Sequence, residues 1–348
     1  MPGWSANWPT IGDNMNGNAR EQQSRGVDVP KGTWPVVNAV QVTALWHGGR
    51  VDTEDIEFAG AGVVLSGTAA FPGAAEACPG VVLVGGSGPA DRHNGGFFDA
   101  LCGHLIAAGV AVLAYDKRGA GSSTGAWATA TVNDLAEDAA AAVAVLQAHP
   151  RVVPGTVGVL GHSEGGWVGL RLCARQHTVR HLIFNSCPSV SFLESETFAL
   201  TRAGAGRDTA ADLYQQLAAA VRTGHEYQQG QRILAAYERE PWYAAVQAEG
   251  FSLDATAWSQ LRAWADYDPH DDLVQLTTPA LAIFGEDDPL APVHESAARY
   301  QWTAAQAGRH QEIKIFPGAN HRLRAGTDFA AGYLASLSTW CHEHAGGS

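Results

Sequence analysis

Residues 156–174 read Thr-Val-Gly-Val-Leu-Gly-His-Ser-Glu-Gly-Gly-Trp-Val-Gly-Leu-Arg-Leu-Cys-Ala. The first five form a short, continuous apolar run, as expected of a strand covered on both faces. From Ser163 to Ala174 the apolar residues take helical spacing. Between them lies Gly161-His162-Ser163-Glu164-Gly165, a G-x-S-x-G pattern in the strand–turn–helix setting that the motif requires. Such a turn holds the serine in a strained backbone and lifts its side chain above the sheet. Glycines flank it because a Cβ there would strike the neighbouring strand and helix. The helix that follows aims its positive end at any negative charge developing nearby. Taken as a bare pattern in a chain with 40 glycines, the same five residues could be an ordinary glycine-rich turn; the placement after a buried strand favours a nucleophile.

Working outward, the same rhythm recurs. Val81–Val84 is a buried strand and Phe97–Ala108 a helix. Val110–Tyr115 is a second strand, and Val132, Leu135, Ala139, Val143 and Leu146 mark an amphipathic helix. His181–Asn185 makes a fourth strand after Thr156–Leu160. Strands alternating with helices imply an α/β fold with a mostly parallel, twisted sheet and right-handed crossovers. The rhythm stops over residues 189–272, which are helical in pattern. It resumes with a strand at Ala280–Phe284, a helix at Val293–Ala304, a strand at Glu312–Phe316 and a last helix near Phe329–Trp340. The expected organisation is therefore one core, residues 1–188 and 273–348, interrupted by a helical cap at 189–272. Residues 1–35 read as an irregular lead-in, and Val40–Leu45, Asp55–Phe58 and Gly62–Phe71 as antiparallel strands opening the sheet.

A serine hydroxyl needs a base, and the base needs an acid to orient it. In this chain order the acid follows the serine and the base comes last. Gly285-Glu286-Asp287-Asp288-Pro289 follows one strand, and Asp288 is the candidate acid, with Glu286 and Asp287 as solvated neighbours. Pro317-Gly318-Ala319-Asn320-His321 follows the last strand, and His321 is the candidate base. The loop Gly85-Gly86-Ser87-Gly88-Pro89-Ala90-Asp91-Arg92 follows the first buried strand. Its small residues let a backbone N–H approach a substrate carbonyl. Ser87 is the preferred donor, with Gly86 next, and the N–H of Glu164 is the second donor of an oxyanion hole. A phosphate cradle is the competing reading of that loop, but neither nucleotide fingerprint accompanies it.

The motifs GGSGPADR, YDKRGAGSSTG, GHSEGG, FGEDDPLAP and GANH, in that order, resemble those of α/β-hydrolase-fold serine esterases with a helical cap. Serine aminopeptidases and acylaminoacyl-peptidases are similar. The resemblance runs from Val81 to the C-terminus outside the cap. It implies an acyl substrate such as a carboxylic ester, no cofactor, and a catalytic set of Ser163, Asp288 and His321. One departure is visible: Gly85 stands where many relatives carry histidine. In Tyr115-Asp116-Lys117-Arg118-Gly119 the Asp and Arg read as structural supports of the loop near the elbow, and Arg92 as either a similar support or a contact to a polar substrate end.

The inserted segment is rich in aromatics. Trp242, Tyr243 and Trp264 are candidates for lining an apolar substrate pocket, although rings at helical spacing also serve as core. The formal charge of −13 repels phosphate backbones and argues against nucleic acid. No apolar stretch is long enough to span a bilayer. His93, His104 and His162 show no ligand spacing such as H-x-x-x-H, so no metal site is expected. Five cysteines without a CxxC pair, and the lack of a secretory leader, suggest reduced thiols in the cytoplasm. Three functions stay open: an ester or lactone hydrolase; a thioesterase, peptidase or amidase, acyltransferase or C–C hydrolase on the same residues; and a silent hydrolase fold that only binds ligands. Substrate identity and oligomeric state are not legible.

Overall fold

The computed structural model describes residues 38–46, 49–73, 77–176, 178–248, 253–309 and 311–346 of the 348. The lead-in assigned to residues 1–35 lies outside them.

The chain opens with an antiparallel meander of β1 (Asn38–Trp46), β2 (Gly49–Ala59) and β3 (Val64–Pro72). Then come β4 (Gly80–Val84), α1 (Phe97–Ala107), β5 (Ala111–Tyr115), α2 (Val132–Gln147), β6 (Gly158–His162), α3 (Glu164–Arg175) and β7 (Leu182–Asn185). Six helices follow: α4 (Phe192–Arg202), α5 (Arg207–Arg222), α6 (Tyr227–Ala235), α7 (Pro241–Ala248), α8 (Ala255–Trp264) and α9 (His270–Gln275). The core resumes with β8 (Ala280–Gly285), α10 (Val293–Gln306), β9 (Glu312–Phe316) and α11 (Tyr333–Ala345). A two-rung hairpin, β10 (Arg324–Ala325) with β11 (Asp328–Phe329), precedes α11.

One sheet has the order β1-β2-β3-β5-β4-β6-β7-β8-β9. β4 to β9 run parallel, and β3 joins β5 antiparallel. This is the α/β-hydrolase fold expected from the motifs. Every residue of β4, β5, β6, β7 and β8 is buried, because helices cover both faces. One face carries α1 and α11, with Leu101, Leu105, Leu337 and Trp340 packed on Val81, Leu83 and Ile183. The other carries α2, α3 and the inserted helices, with Leu146, Trp167, Leu213 and Trp258 in its cluster.

Strand order positions the site. The chain leaves β4 toward β5 on one side and reaches β6 on the other, so the strand order reverses at β4, and ligands bind beyond the carboxyl ends of strands at such a point. The loops after β4, β5, β6, β8 and β9 all leave the sheet at this edge. α2 is started by a capping box in which Thr131 and Asp134 satisfy each other's backbone N–H. α4 repeats the device with Ser191 and Glu194.

Candidate active site

Ser163 sits at the junction of β6 and α3 with φ 53° and ψ −123°. A side chain at positive φ costs on the order of 1–3 kcal/mol, and the surroundings must impose it. Here the Ser163 N–H donates to the Asn185 carbonyl at 2.9 Å, and the Gly166 N–H donates to the Ser163 carbonyl at 2.9 Å. The strand and the helix thereby pull the turn tight. Both motif glycines are explained by contact. A Cβ at Gly161 would overlap the Gly165 carbonyl, and one at Gly165 would overlap the Val84 carbonyl.

Asp288 and His321 arrive from loops after β8 and β9. His321 Nδ1 lies 2.7 Å from Asp288 Oδ2. A carboxylate accepts only, so Nδ1 carries the proton and Nε2 is left as an acceptor. Asp288 is buried, and its Oδ1 accepts from the N–H groups of Leu290 at 2.8 Å and Ala291 at 3.1 Å. Those bonds fix the carboxylate's orientation. Glu286 and Asp287 are exposed, which separates Asp288 from its two acidic neighbours. The two loops are stitched together: the N–H groups of Glu286 and Asp287 donate to Phe316 and Ala319, both at 2.9 Å.

The loop after β4 passes beside the elbow. A Cβ at Gly86 would lie 3.4 Å from Ser163 Cβ. Among the described residues, no acceptor takes the backbone N–H of Ser87 or of Glu164. Two free donors therefore stand at this edge, the second at the start of α3. Gly85 also has a local reason. A Cβ there would come 2.8 Å from Ala90 Cβ, so the histidine of many relatives would displace this loop.

His162, the variable residue of the elbow, packs against His321 with ring centroids 4.9 Å apart. Its Nδ1 accepts from Asn185 Nδ2 at 2.9 Å, while Asn185 Oδ1 accepts from Tyr333 Oη at 2.7 Å. Burial pushes the His162 pKa well below 6.5, and the nearby His321 and Arg322 add to the effect. A neutral His162 adds no positive charge of its own beside His321.

The expected pocket residues are placed differently from one another. Gly86 adjoins Ser163. Arg92 is committed elsewhere: Nη2 donates to Ser66 Oγ at 2.6 Å and Asp116 Oδ2 at 2.9 Å, Nη1 to Thr68 Oγ1 at 2.9 Å, and Nε to Asp116 Oδ1 at 3.1 Å. This ties the loop to β3 and β5, the supporting role rather than substrate contact. Trp264 is buried, donates to the Ala130 carbonyl at 3.1 Å and packs on Trp167, Phe192 and Tyr267. It seats the inserted helices on the core, and its ring is spent on packing. Trp242 is buried against Tyr237 and the half-buried Tyr243. Within the sequence Asp-Lys-Arg after β5, Asp116 takes Arg92, and Arg118 grips Asp138 at 2.6 and 2.8 Å.

Sequence reasoning passed over three residues. Lys117 donates to the Gly86 carbonyl and, at 2.8 Å, to Glu164 Oε1. Gln260, from α8, donates to Glu164 Oε2 at 3.4 Å. Asn185 orients His162. A lysine two residues beyond a strand gives no signal of its own, because its partner lies 47 residues away.

Residues 80–328 match the family model described as serine aminopeptidase, S33. The chain belongs to that family. Among curated proteins it is similar to a non-heme haloperoxidase of Rhodococcus erythropolis, 26% identical over 63% of this chain and 78% of that one. Among solved structures it resembles an esterase of Pyrococcus furiosus, with TM-score 0.58 and 18% identity over 92% of this chain and 100% of that one. It also resembles a proline iminopeptidase of Mycobacterium smegmatis, with TM-score 0.51 and 20% identity over 88% and 98%. The chain is thus a hydrolase of the α/β-hydrolase superfamily. Among the described residues no helix is long and apolar enough to cross a membrane. All five cysteines are buried and unpaired.

Proposed function

We propose that the protein is a serine hydrolase that cleaves carboxylic esters, lactones included, of largely apolar substrates through an acyl-enzyme. The observation that carries this is the Asp288–His321 hydrogen bond delivered to the same sheet edge as the strained Ser163. Ser163 Oγ adds to the substrate carbonyl carbon as its proton passes to His321 Nε2. The carbonyl oxygen becomes an oxyanion facing the N–H groups of Ser87 and Glu164. The intermediate collapses, the C–O bond breaks, and the proton on His321 goes to the leaving alcohol. A water molecule then repeats the sequence on the acyl-enzyme and frees Ser163. The segment 189–272 acts as a cap whose apolar surface favours apolar acyl or alcohol groups, and the small molecule is the only partner the chemistry requires. Five buried thiols support a reducing, cytoplasmic setting.

The family's aminopeptidase name offers the competing reading. A free α-ammonium would need an acidic partner near the nucleophile. The carboxylate adjoining Ser163, that of Glu164, is buried and already neutralised by Lys117. That supports an uncharged acyl group over an N-terminal residue. The test is intact-mass spectrometry after a fluorophosphonate, on wild type and Ser163→Ala, followed by p-nitrophenyl esters of graded chain length and aminoacyl anilides. One adduct on wild type alone, with ester turnover exceeding anilide turnover, is expected. An unlabelled wild type refutes the serine mechanism, and faster anilide turnover refutes the ester preference.

A further inference from the structure

We propose that the buried Lys117–Glu164 ion pair is a positioning device that aims both donors of the oxyanion hole, an inference that rests on the serine-hydrolase reading above. The peptide unit joining Gly86 to Ser87 is planar, so its C=O and N–H point in opposite directions. Lys117 Nζ holds the Gly86 carbonyl on one side. That grip fixes the direction in which the Ser87 N–H points on the other. The same ammonium holds Glu164 Oε1 at 2.8 Å, and Glu164 supplies the second N–H. One cation thereby binds the two segments whose relative placement defines the hole.

The pair is built rather than incidental. Its side chains are 7% and 3% exposed. The Lys117 N–H donates to the Ala90 carbonyl at 3.0 Å, so the lysine's own backbone is anchored to the far end of the loop it positions. Gln260 reaches Glu164 Oε2 from α8, which brings the inserted helices into the same network. Burial of two charges is costly and gives weak net stability even when they are well paired; a role in aiming the donors accounts for keeping them beside the nucleophile. Preorganised donors act only on the charge that develops in the transition state, so loosening them lowers kcat and leaves substrate affinity nearly unchanged.

The test uses Lys117→Met/Glu164→Gln, which removes both charges and leaves neither unpaired, with Arg118→Met as a control that breaks the neighbouring buried pair with Asp138. Rates are normalised to the fraction of protein that takes a fluorophosphonate. The double variant is expected to lose about 10- to 100-fold in kcat on p-nitrophenyl butyrate, below the loss for deleting a donor outright. Its KM should stay within about threefold, since ground-state binding is not the target. The Ki of a trifluoromethyl ketone, whose hemiketal bears the same oxyanion, should rise by the same factor as kcat/KM falls. The control should lower the melting temperature with kcat per labelled site unchanged. Wild-type kcat per labelled site in the double variant, or a loss confined to KM or to melting temperature, overturns the proposal while leaving the serine mechanism standing. A wild-type protein that takes no phosphonate overturns both. Should the double variant not fold, Glu164→Gln alone is read the same way: an unchanged kcat and Ki overturn the proposal.

Discussion

His181 makes the protein lose stability in mild acid by an amount that can be assigned to one side chain. It lies fully buried before β7, with its ring against Gly158, and among the described residues neither ring nitrogen finds a partner. Burial drives its pKa down to about 3, with His344 and Arg180 contributing repulsion. In the unfolded chain the same group titrates near 6.5. The unfolded state therefore binds a proton that the native state refuses once pH falls below 6.5. Stability is fully present above that value and declines as pH drops toward the folded pKa. Each pH unit between the two pKa values is worth a little over 1 kcal/mol, so from pH 7 to pH 4.5 this residue costs roughly 2–3 kcal/mol. His181→Leu removes the term and leaves a side chain of similar bulk. Urea unfolding followed by tryptophan fluorescence, on both proteins across that range, isolates it. Every other histidine, His162 included, cancels in the difference. The stability gap between variant and wild type should shift by roughly 2–3 kcal/mol in the variant's favour at the acid end. Curves that run parallel to within about 0.5 kcal/mol would refute the reasoning, because His181 would then protonate inside the fold.

Three other outcomes follow from the geometry. Asp288→Asn should fold normally but drop kcat by about 10⁴, because an amide no longer holds His321 with its proton on Nδ1; steady-state ester kinetics check this. Gly161→Ala puts a Cβ into the Gly165 carbonyl and the Gly166 nitrogen; both are backbone, so a loss of about 3 kcal/mol or more and loss of phosphonate labelling are expected together. Trp264→Ala should cost about 3–5 kcal/mol in unfolding experiments; a pocket role would instead change the chain-length preference with stability intact.

The alternation of buried strands and helices was legible because fully covered strands favour apolar residues, and β4 to β8 are apolar but for His162 and Asn185 at the ends of β6 and β7. β2 was read only as Asp55–Phe58, yet it spans Gly49–Ala59. Its acidic residues hid it: Asp52 meets Arg151 at 3.0 Å and Glu54 faces His149 at 3.5 Å, and such distant pairings leave no trace in local pattern. The hairpin of β10 and β11 has no counterpart in the sequence reading, whose last helix starts near Phe329, for a related reason. It is shaped by Asn320 Oδ1, which accepts from the N–H groups of Arg322 and Arg324 at 2.9 and 3.1 Å, and by Leu323 at φ 57°. Ser163, Asp288 and His321 were readable because each must follow a strand. Arg92 and Trp264 were ambiguous because charge and aromaticity suit support and recognition alike, and only the identity of their partners decides.

Those partners show a division of labour around the sheet edge. Asp116 lies beside Arg92, and Arg118 beside Asp138, so two of the three charges after β5 brace the backbone of neighbouring loops. Burial raises the Asp116 pKa, but the hydrogen bonds from Arg92 and Ser122 more than offset this and hold it below the usual range. That pairing contributes stability above pH 4 that fades as pH falls further. The central charge, on Lys117, points instead to the elbow. A single turn thus commits its outer residues to holding the scaffold and its middle residue to the Gly86 carbonyl and the Glu164 carboxylate beside the elbow. A residue held at positive φ relaxes unless its surroundings resist, and at the Ser163 turn strand, helix and loop each contribute a hydrogen bond or a backbone contact to that resistance.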